Sequence, residues 1–540
     1  MFNVVNHSRF WSVAFIIIMI VGTALRLPRL EMRPMHTDEA VHGIKFESLL
    51  EEGEYIYDPY EYHGPTLNYS TLIPAWIAGQ SDINQVTEFT LRIVTVFFGL
   101  ILILLLVYFR KDLGWPVVSA MGFLTAISPQ MVYYSRYYIM EIMLVLFMLG
   151  FILALWKYWK SKRISWAIAI GISAGLMHAT KETFIINIGA AALAAGIIFW
   201  VKEGKWTVIF QKMRTIPVSH WLIMAFSAAV ISIFFFSSFF TNPQGILDSI
   251  LTYETYLDRA GQQDLHNHPW HYYFNIILFW HYAQGPVWTE AVIFILAIFG
   301  GFVVFRKNNE IPGQNLLQFI AVYTVILTII FSALPYKTPW NMMGFFHGMI
   351  LLGGVGLVWI YRRVLDNKLL LVAAAVVTVG LLHLLWLTNI TNFTYYADAR
   401  NPYVYGHTSN DIYAMDQQID EIAAIHPRGK DMYVEIIAPN GDYWPFPWYL
   451  REYPNIGYWH EVNMDISPAP IIIGKAELEQ EILQKIYTVP PPGQRNLYVP
   501  LFSDYMELRP HVEMRGYVQH ALWEETQSRD SEILDSLNVQ

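Results

Sequence analysis

The sequence predicts a polytopic α-helical membrane protein with a C-terminal α/β domain outside the bilayer, and three observations carry that prediction. Of 540 residues, 54% are hydrophobic and only 15% charged, with a mean hydropathy of +0.33; soluble domains carry about 25% charge. The apolar residues arrive in long runs, each able to cross a hydrocarbon core about 30 Å thick. After about residue 400 those runs give way to short β-rich and helix-like stretches in alternation. The absence of cysteine excludes a disulfide framework and a thiolate-bound metal. A net charge of −9 without a Lys/Arg run argues against a nucleic-acid partner.

Eleven spans are expected, near 11–27, 90–109, 115–134, 138–156, 164–180, 184–201, 220–240, 287–305, 315–334, 340–361 and 369–388. The first lacks a small-x-small cleavage site and is followed by Arg-Leu-Pro-Arg, so it reads as a retained span. Basic residues set the orientation, because Lys and Arg in short loops stay on the cytoplasmic side. Arg9, Arg110, Lys111, Lys157, Lys160, Lys162, Arg163, Lys202, Lys205, Lys212, Arg214, Arg306, Lys307, Arg362, Arg363 and Lys368 all fall on one side. The N-terminus is therefore expected in the cytoplasm of a multi-pass cell-membrane protein. The 28–89 loop, the 241–286 loop and the C-terminal region then face out. Residues 1–395 form the membrane domain and 396–540 the α/β domain, with helices at Asp416–His426 and Glu477–Tyr487. Strands are expected at Met432–Ala438, Pro470–Gly474 and Leu497–Phe502, and the last fifteen or so residues are expected to fray.

Ionisable residues at a membrane surface are costly, so where they gather is informative. Asp38 and Glu39 follow the first span in "MHTDEAVHG", and His63 lies in "EYHGPTLNY". Arg136 and Glu141 occupy "SRYYIME", Lys181 and Glu182 "HATKETF", and Lys337 "PYKTPWN". "HNHPWHYY" adds His266, His268, Trp270 and His271. Loops distant in sequence thus bring acids and cations to the outer face, as an active site there requires. Blander readings stand beside this one. Arg136 with Glu141, and Lys181 with Glu182, also read as structural pairs, and Lys337 as a solvated loop lysine. "HNHPWH" has metal-ligand spacing without a carboxylate partner, so no metal is expected there. "DYWPFPWYLREY" reads as an aromatic sugar platform or, somewhat better, as an edge docking onto the membrane domain.

These motifs resemble the GT-C fold glycosyltransferases that use polyprenyl-phosphate sugars, the superfamily of protein O-mannosyltransferases and aminoarabinose transferases. The resemblance runs over roughly residues 10–360. Its mark is an Asp-Glu pair after the first span, here Asp38-Glu39. Arg136 and Glu141 match an Arg-x4-Asp element with Glu in place of Asp. Gly175, Leu176, Thr180 and Lys181 match Gly-Leu-x-x-x-Thr-Lys, and Lys337-Thr338-Pro339 a late Lys-x-Pro. His63-Gly64-Pro65 stands where the family often has Lys-Pro-Pro. "HTDEAVHG", "YEYHGPTLNY", "HNHPW", "YKTPWN" and "WPFPWYLREY" in order resemble a prokaryotic flippase-activity-associated subgroup.

The resemblance implies sugar transfer from a polyprenyl-phosphate donor to a hydroxyl of a protein, lipid or glycan acceptor, with inversion and without a required cofactor. Asp38 would act as general base, with Glu39 second or orienting a hydroxyl. His63, Arg136, Lys181 and Lys337 would face the donor phosphate. Glu141, Glu182, His266, His268 and Trp270 would line the substrate site. The alternative is a non-catalytic partner of lipid-linked oligosaccharide translocation that keeps the same scaffold.

Overall fold

The computed structural model describes residues 8–60, 63–205, 207, 211, 213–259, 266–306, 311–364 and 368–538. Lys212 and Lys307, used above for orientation, lie outside the described residues. Each apolar run becomes a helix, since buried backbone groups in hydrocarbon must be satisfied within their own segment. Among the described residues, eight helices are long and apolar enough to cross a membrane. Three shorter apolar helices, Trp115–Ile127, Ile164–His178 and Ala291–Phe305, lie on other expected spans.

The run expected at 115–134 is divided. Ser128 ends the Trp115–Ile127 helix and caps a second one, Pro129–Ser135, with its Oγ accepting the Met131 N–H at 3.3 Å. Proline at the first helical position has no N–H to waste there. The next span starts at Glu141, leaving 136–140 as a turn that enters the site described below.

The 28–89 loop is folded rather than extended. It holds helices Thr37–Glu51 and Thr66–Ile77 with a short turn at Ile83–Gln85. The 241–286 loop likewise contains helices Gln244–Arg259 and Tyr272–Leu278.

The last long apolar helix ends at Phe393, and the first helix of the C-terminal domain, Asp411–Ala423, begins after a linker. The domain is built on a six-stranded mixed sheet, β1 (Val434–Ile437), β2 (Ile456–Trp459), β3 (Ile471–Lys475), β4 (Tyr498–Pro500), β5 (Met506–Arg509) and β6 (Val512–Gln519). Their order is β2-β1-β3-β6-β4, with β5 paired to β6. β1 pairs in parallel with β2 and β3, and it is buried along its whole length, as a central parallel strand must be. Its inward Glu435 accepts a hydrogen bond from Lys485 of helix Glu479–Thr488 at 2.6 Å through Oε2. β2, β5 and β6 were not among the expected strands, and the backbone of the expected frayed end is helical from His520 to Asn538.

The C-terminal domain docks onto the folded first loop. Trp448 is fully buried and donates its Nε1–H to Glu88 Oε1 at 2.9 Å. Gly43 makes room for it, because a Cβ there would sit 2.8 Å from the indole ring. Tyr449 accepts the Met35 N–H at 2.8 Å, and Arg451 donates to the carbonyls of Ile83 and Val86 at 3.3 and 3.0 Å. "WPFPWYLREY" is thus a docking edge at Trp448, while Trp444 stays half-buried beside it. Trp448→Ala is expected to cost about 3–5 kcal/mol and to loosen the domain. Thermal unfolding and limited proteolysis of the purified full chain check this; wild-type behaviour in both would show that the contact is incidental.

Candidate active site

Helix Thr37–Glu51 starts where it does because His36 caps it. The His36 Nδ1 accepts the Asp38 N–H at 3.0 Å, and the Glu39 carboxylate accepts the His36 N–H at 3.1 Å. This is a capping box with an imidazole in the usual hydroxyl place. His36 Nε2 lies 3.1 Å from the Tyr405 carbonyl oxygen, which can only accept. The proton is therefore on Nε2 and the ring is neutral. Burial pushes its pKa down, against the pull of Asp38 and Glu39.

Two carboxylates follow in the first turn, where the helix dipole favours negative charge. Neighbours on a helix point about 100° apart, and these two have opposite surroundings. Glu39 has no exposed surface. It takes Arg92 Nε and Nη2 at 2.8 Å each, Arg33 Nη2 at 3.0 Å and the Tyr138 N–H at 2.7 Å. Burial pushes the Glu39 carboxyl up; the two guanidiniums and these hydrogen bonds outweigh it and hold it well below the usual carboxylate range. The Asp38 side chain is 45% exposed. Among the described residues its carboxylate accepts no hydrogen bond, and the neutral His36 ring lies 3.8 Å from it.

His42 lies one turn along the same helix, its ring stacked at 6.3 Å on His63. Burial, with His63 beside it, holds His42 down to about 4, so it is neutral at physiological pH. His63 Nδ1 donates to Glu182 Oε2 at 2.7 Å, and Tyr57 donates to Oε1 at 3.3 Å. Burial raises the Glu182 pKa, and His63 more than offsets this, leaving the carboxyl below its ordinary value. The adjacent Lys181 pairs with Glu141 rather than with Glu182. Lys181 and Glu141 stand at the polar end of a cavity between helices Glu141–Ser161, Phe184–Glu203, Gln314–Ala333 and Met343–Arg363. Below them its wall is mostly apolar, with Leu144, Met148, Ile152, Ile320, Phe331 and Leu351.

Other expected site residues are committed to backbone. Arg136 donates to the carbonyls of Arg26 and Pro28 at 2.7 Å and of Arg29 at 3.1 Å, closing the carbonyl end of the first helix. It is absent from the cavity wall. Lys337 Nζ donates to the carbonyls of His268 at 2.8 Å and of Leu334, and its own N–H to the His266 carbonyl at 2.9 Å. His266 Nδ1 and His268 Nε2 both meet the Tyr405 hydroxyl, at 3.0 and 2.8 Å. Trp270 is 66% exposed. Trp340 joins the two halves, lining the cavity and lying 5.7 Å from the His36 ring. Among the described residues no three His, Asp or Glu side chains are grouped to hold a metal ion.

The whole chain can be set against solved structures once this geometry is in view. ArnT from Cupriavidus metallidurans bound to undecaprenyl phosphate superposes with a TM-score of 0.62 over 95% of this chain and 99% of that one, at 11% identity. The oligosaccharyltransferase of Archaeoglobus fulgidus in its apo form gives 0.55 over 88% and 70%, at 12% identity. The fold is that of the GT-C glycosyltransferases. Residues 68–243 also match the family model for dolichyl-phosphate-mannose-protein mannosyltransferase, a stretch that includes Arg136, Glu141, Lys181 and Glu182 but not Asp38. No curated protein sequence matches.

Several residues that build this cluster were not singled out from sequence. Arg33 and Arg92 hold Glu39, and Tyr405 joins His36 to the 266–268 segment. Arg92 was findable, since an arginine four residues into an apolar helix demands a partner. Tyr405 had no such signal. Glu39→Gln leaves Arg92 buried beside an uncharged amide and is expected to destabilise by about 3–5 kcal/mol. Because its folded pKa is depressed, Glu39's stabilisation is complete above the ordinary carboxylate range and is lost progressively as pH falls through that range towards the lower folded value. Asp38→Asn is expected to melt within a degree or two of wild type, the usual behaviour of an unbonded exposed site. Equal melting of both variants would contradict this division.

Proposed function

We propose that this chain is a membrane glycosyltransferase that moves a sugar from a polyprenyl-phosphate donor to an acceptor hydroxyl at the extracytoplasmic face, with inversion. The fold supports the class of reaction, and its neighbours support the donor. ArnT was solved with undecaprenyl phosphate, and an archaeal oligosaccharyltransferase, AglB, with dolichol phosphate and an inhibitory peptide. The observation that carries the assignment of the base is the contrast within Asp38-Glu39. One carboxylate is sealed in ion pairs; the other is exposed, and one turn along its helix His42 feels the charges of Asp38, His63, Lys181 and Glu182 together.

In this reading the acceptor hydroxyl gives its proton to Asp38 as its oxygen bonds to the anomeric carbon. The bond from that carbon to the phosphate oxygen breaks on the opposite face, and the polyprenyl phosphate leaves with the electron pair. Glu39 acts by position, fixing the turn that aims Asp38. Lys181 and His63 are the phosphate contacts, with Glu141 and Glu182 holding them in place until the donor arrives. The apolar cavity below Lys181 receives the first isoprene units. Arg136 and Lys337 support backbone around the site, and Trp270, His266 and His268 border the acceptor side. The basic-loop pattern supports the outward orientation of the first loop and the C-terminal domain.

Asp38→Asn keeps shape but cannot take the proton. It is expected to bind polyprenyl phosphate as wild type does and to lose transfer by about 10²–10⁴-fold, the scale of general-base catalysis. Single-turnover transfer from purified polyprenyl-phosphate-mannose measures this, and undiminished transfer would remove Asp38 from the mechanism.

A further inference from the structure

The β5–β6 hairpin of the C-terminal domain reaches the first turn of the helix that carries Asp38. Arg509 closes β5, and the pairing register of β5 on β6 shifts between Glu507 and Arg509. Bulges of this kind re-aim a side chain. The turn that follows is tied back by the His511 N–H, which donates to Glu507 Oε1 at 2.9 Å. Arg509 Nη1 donates to Thr37 Oγ1 at 2.9 Å, and Nη2 to Asp442 Oδ1 at 2.8 Å and the Asp442 carbonyl at 3.2 Å. Asp442 is held in turn by Lys475 at 3.2 Å. Thr37 is the residue immediately before Asp38.

We propose that Arg509 is a positioning residue for the Asp38 site, through which the C-terminal domain completes the reaction centre at the start of helix Thr37–Glu51. This rests on the glycosyl-transfer reading above. Docking alone does not call for it, since Trp448, Tyr449 and Arg451 already join the domain to the first loop. What Arg509 adds is a fixed positive charge and a hydrogen bond one residue from a carboxylate that accepts none from the described residues. The groups that face Asp38 are His36 and His42 on its own segment, Tyr137 from the turn before Glu141, and Arg509 from the hairpin. Both histidines are neutral at physiological pH, and Tyr137 carries no charge there. Arg509 is the cation that the C-terminal domain brings to this turn, through its hydrogen bond to Thr37. Its hold on Thr37 keeps the capping turn from rotating the carboxylate away from the acceptor.

The test is made on the full chain in lipid nanodiscs. Asp38 and Glu39 are modified with a water-soluble carbodiimide and read by peptide mass spectrometry; Glu39, sealed by Arg33 and Arg92, reports whether the fold is intact. In Arg509→Gln single-turnover transfer from polyprenyl-phosphate-mannose is expected to fall by about 10–100-fold, the scale of a misplaced reacting group, and in Arg509→Lys to recover part of that loss. KM for the donor is expected to stay near wild type, a split that a merely structural arginine would not produce. Should Arg509→Gln expose Glu39 to modification, Thr37→Val replaces it, and a loss of transfer with donor KM kept is expected again. Equal transfer by an active wild type and a folded variant would overturn the role of Arg509 alone. A wild type that transfers from no polyprenyl-phosphate sugar would overturn the transfer reading and the role of Arg509 with it.

Discussion

The buried Glu39–Arg92 pair is the contact on which the site depends. A carboxylate without exposed surface is tolerable only if every oxygen is met, and here two guanidiniums and two backbone amides meet it. The same Arg92 reaches the carbonyls of Leu30, Arg33 and Pro34, and Arg33 reaches the carbonyl of Arg136. One cluster therefore ties the chain leaving the first span, the helix Glu88–Leu105 and the turn before Glu141. Replacing such a cluster by apolar residues need not cost stability, but removing one member does. Its geometry, more than its energy, sets the direction of the neighbouring residue.

That neighbour is Asp38, and the difference between the two acids is a difference of helix face. The cap at His36 sets which residue falls at which position of the turn, and the carbonyl of Tyr405 sets the tautomer of the cap. The linker to the C-terminal domain is thereby part of the site. Tyr403 donates to Glu290, Tyr405 meets two histidines, and Thr408 donates to the Met35 carbonyl. In the proposed reaction this leaves one carboxylate poised for a proton and the other unable to receive one. It also explains why the C-terminal domain and the first loop are packed as one unit around Trp448.

The spans were legible because hydropathy over about twenty residues is a strong signal, and Asp38-Glu39 was legible because adjacent acids after a span are costly. Which acid is exposed was not, since that follows from Arg92 some fifty positions away. Arg136 and Lys337 read as phosphate cations from their residue type; in the structure their guanidinium and ammonium groups bind backbone carbonyls, contacts that no local pattern announces. The folded character of the 28–89 loop was hidden by short, weakly amphipathic helices such as Thr37–Glu51, whose polar residues look like loop. β2, β5 and β6 escaped because glycine and charged residues interrupt their alternation, as in "VEMRGYVQ". The docking role of Trp448 was readable from its Trp-Pro setting, but its seat against Gly43 was not.

The central claim is that the donor sits with its phosphate at Lys181 and His63, facing Asp38, while Glu39 stays sealed. A cryo-EM structure of the full chain in nanodiscs with a bound polyprenyl phosphate tests it most directly. The account predicts phosphate density against Lys181 and His63, the first isoprene units along Leu144, Met148 and Phe331, and the Asp38 carboxylate open to the gap above the phosphate. Phosphate density against Arg136 or Lys337, or with Glu39 released from Arg92 to face it, would contradict the account.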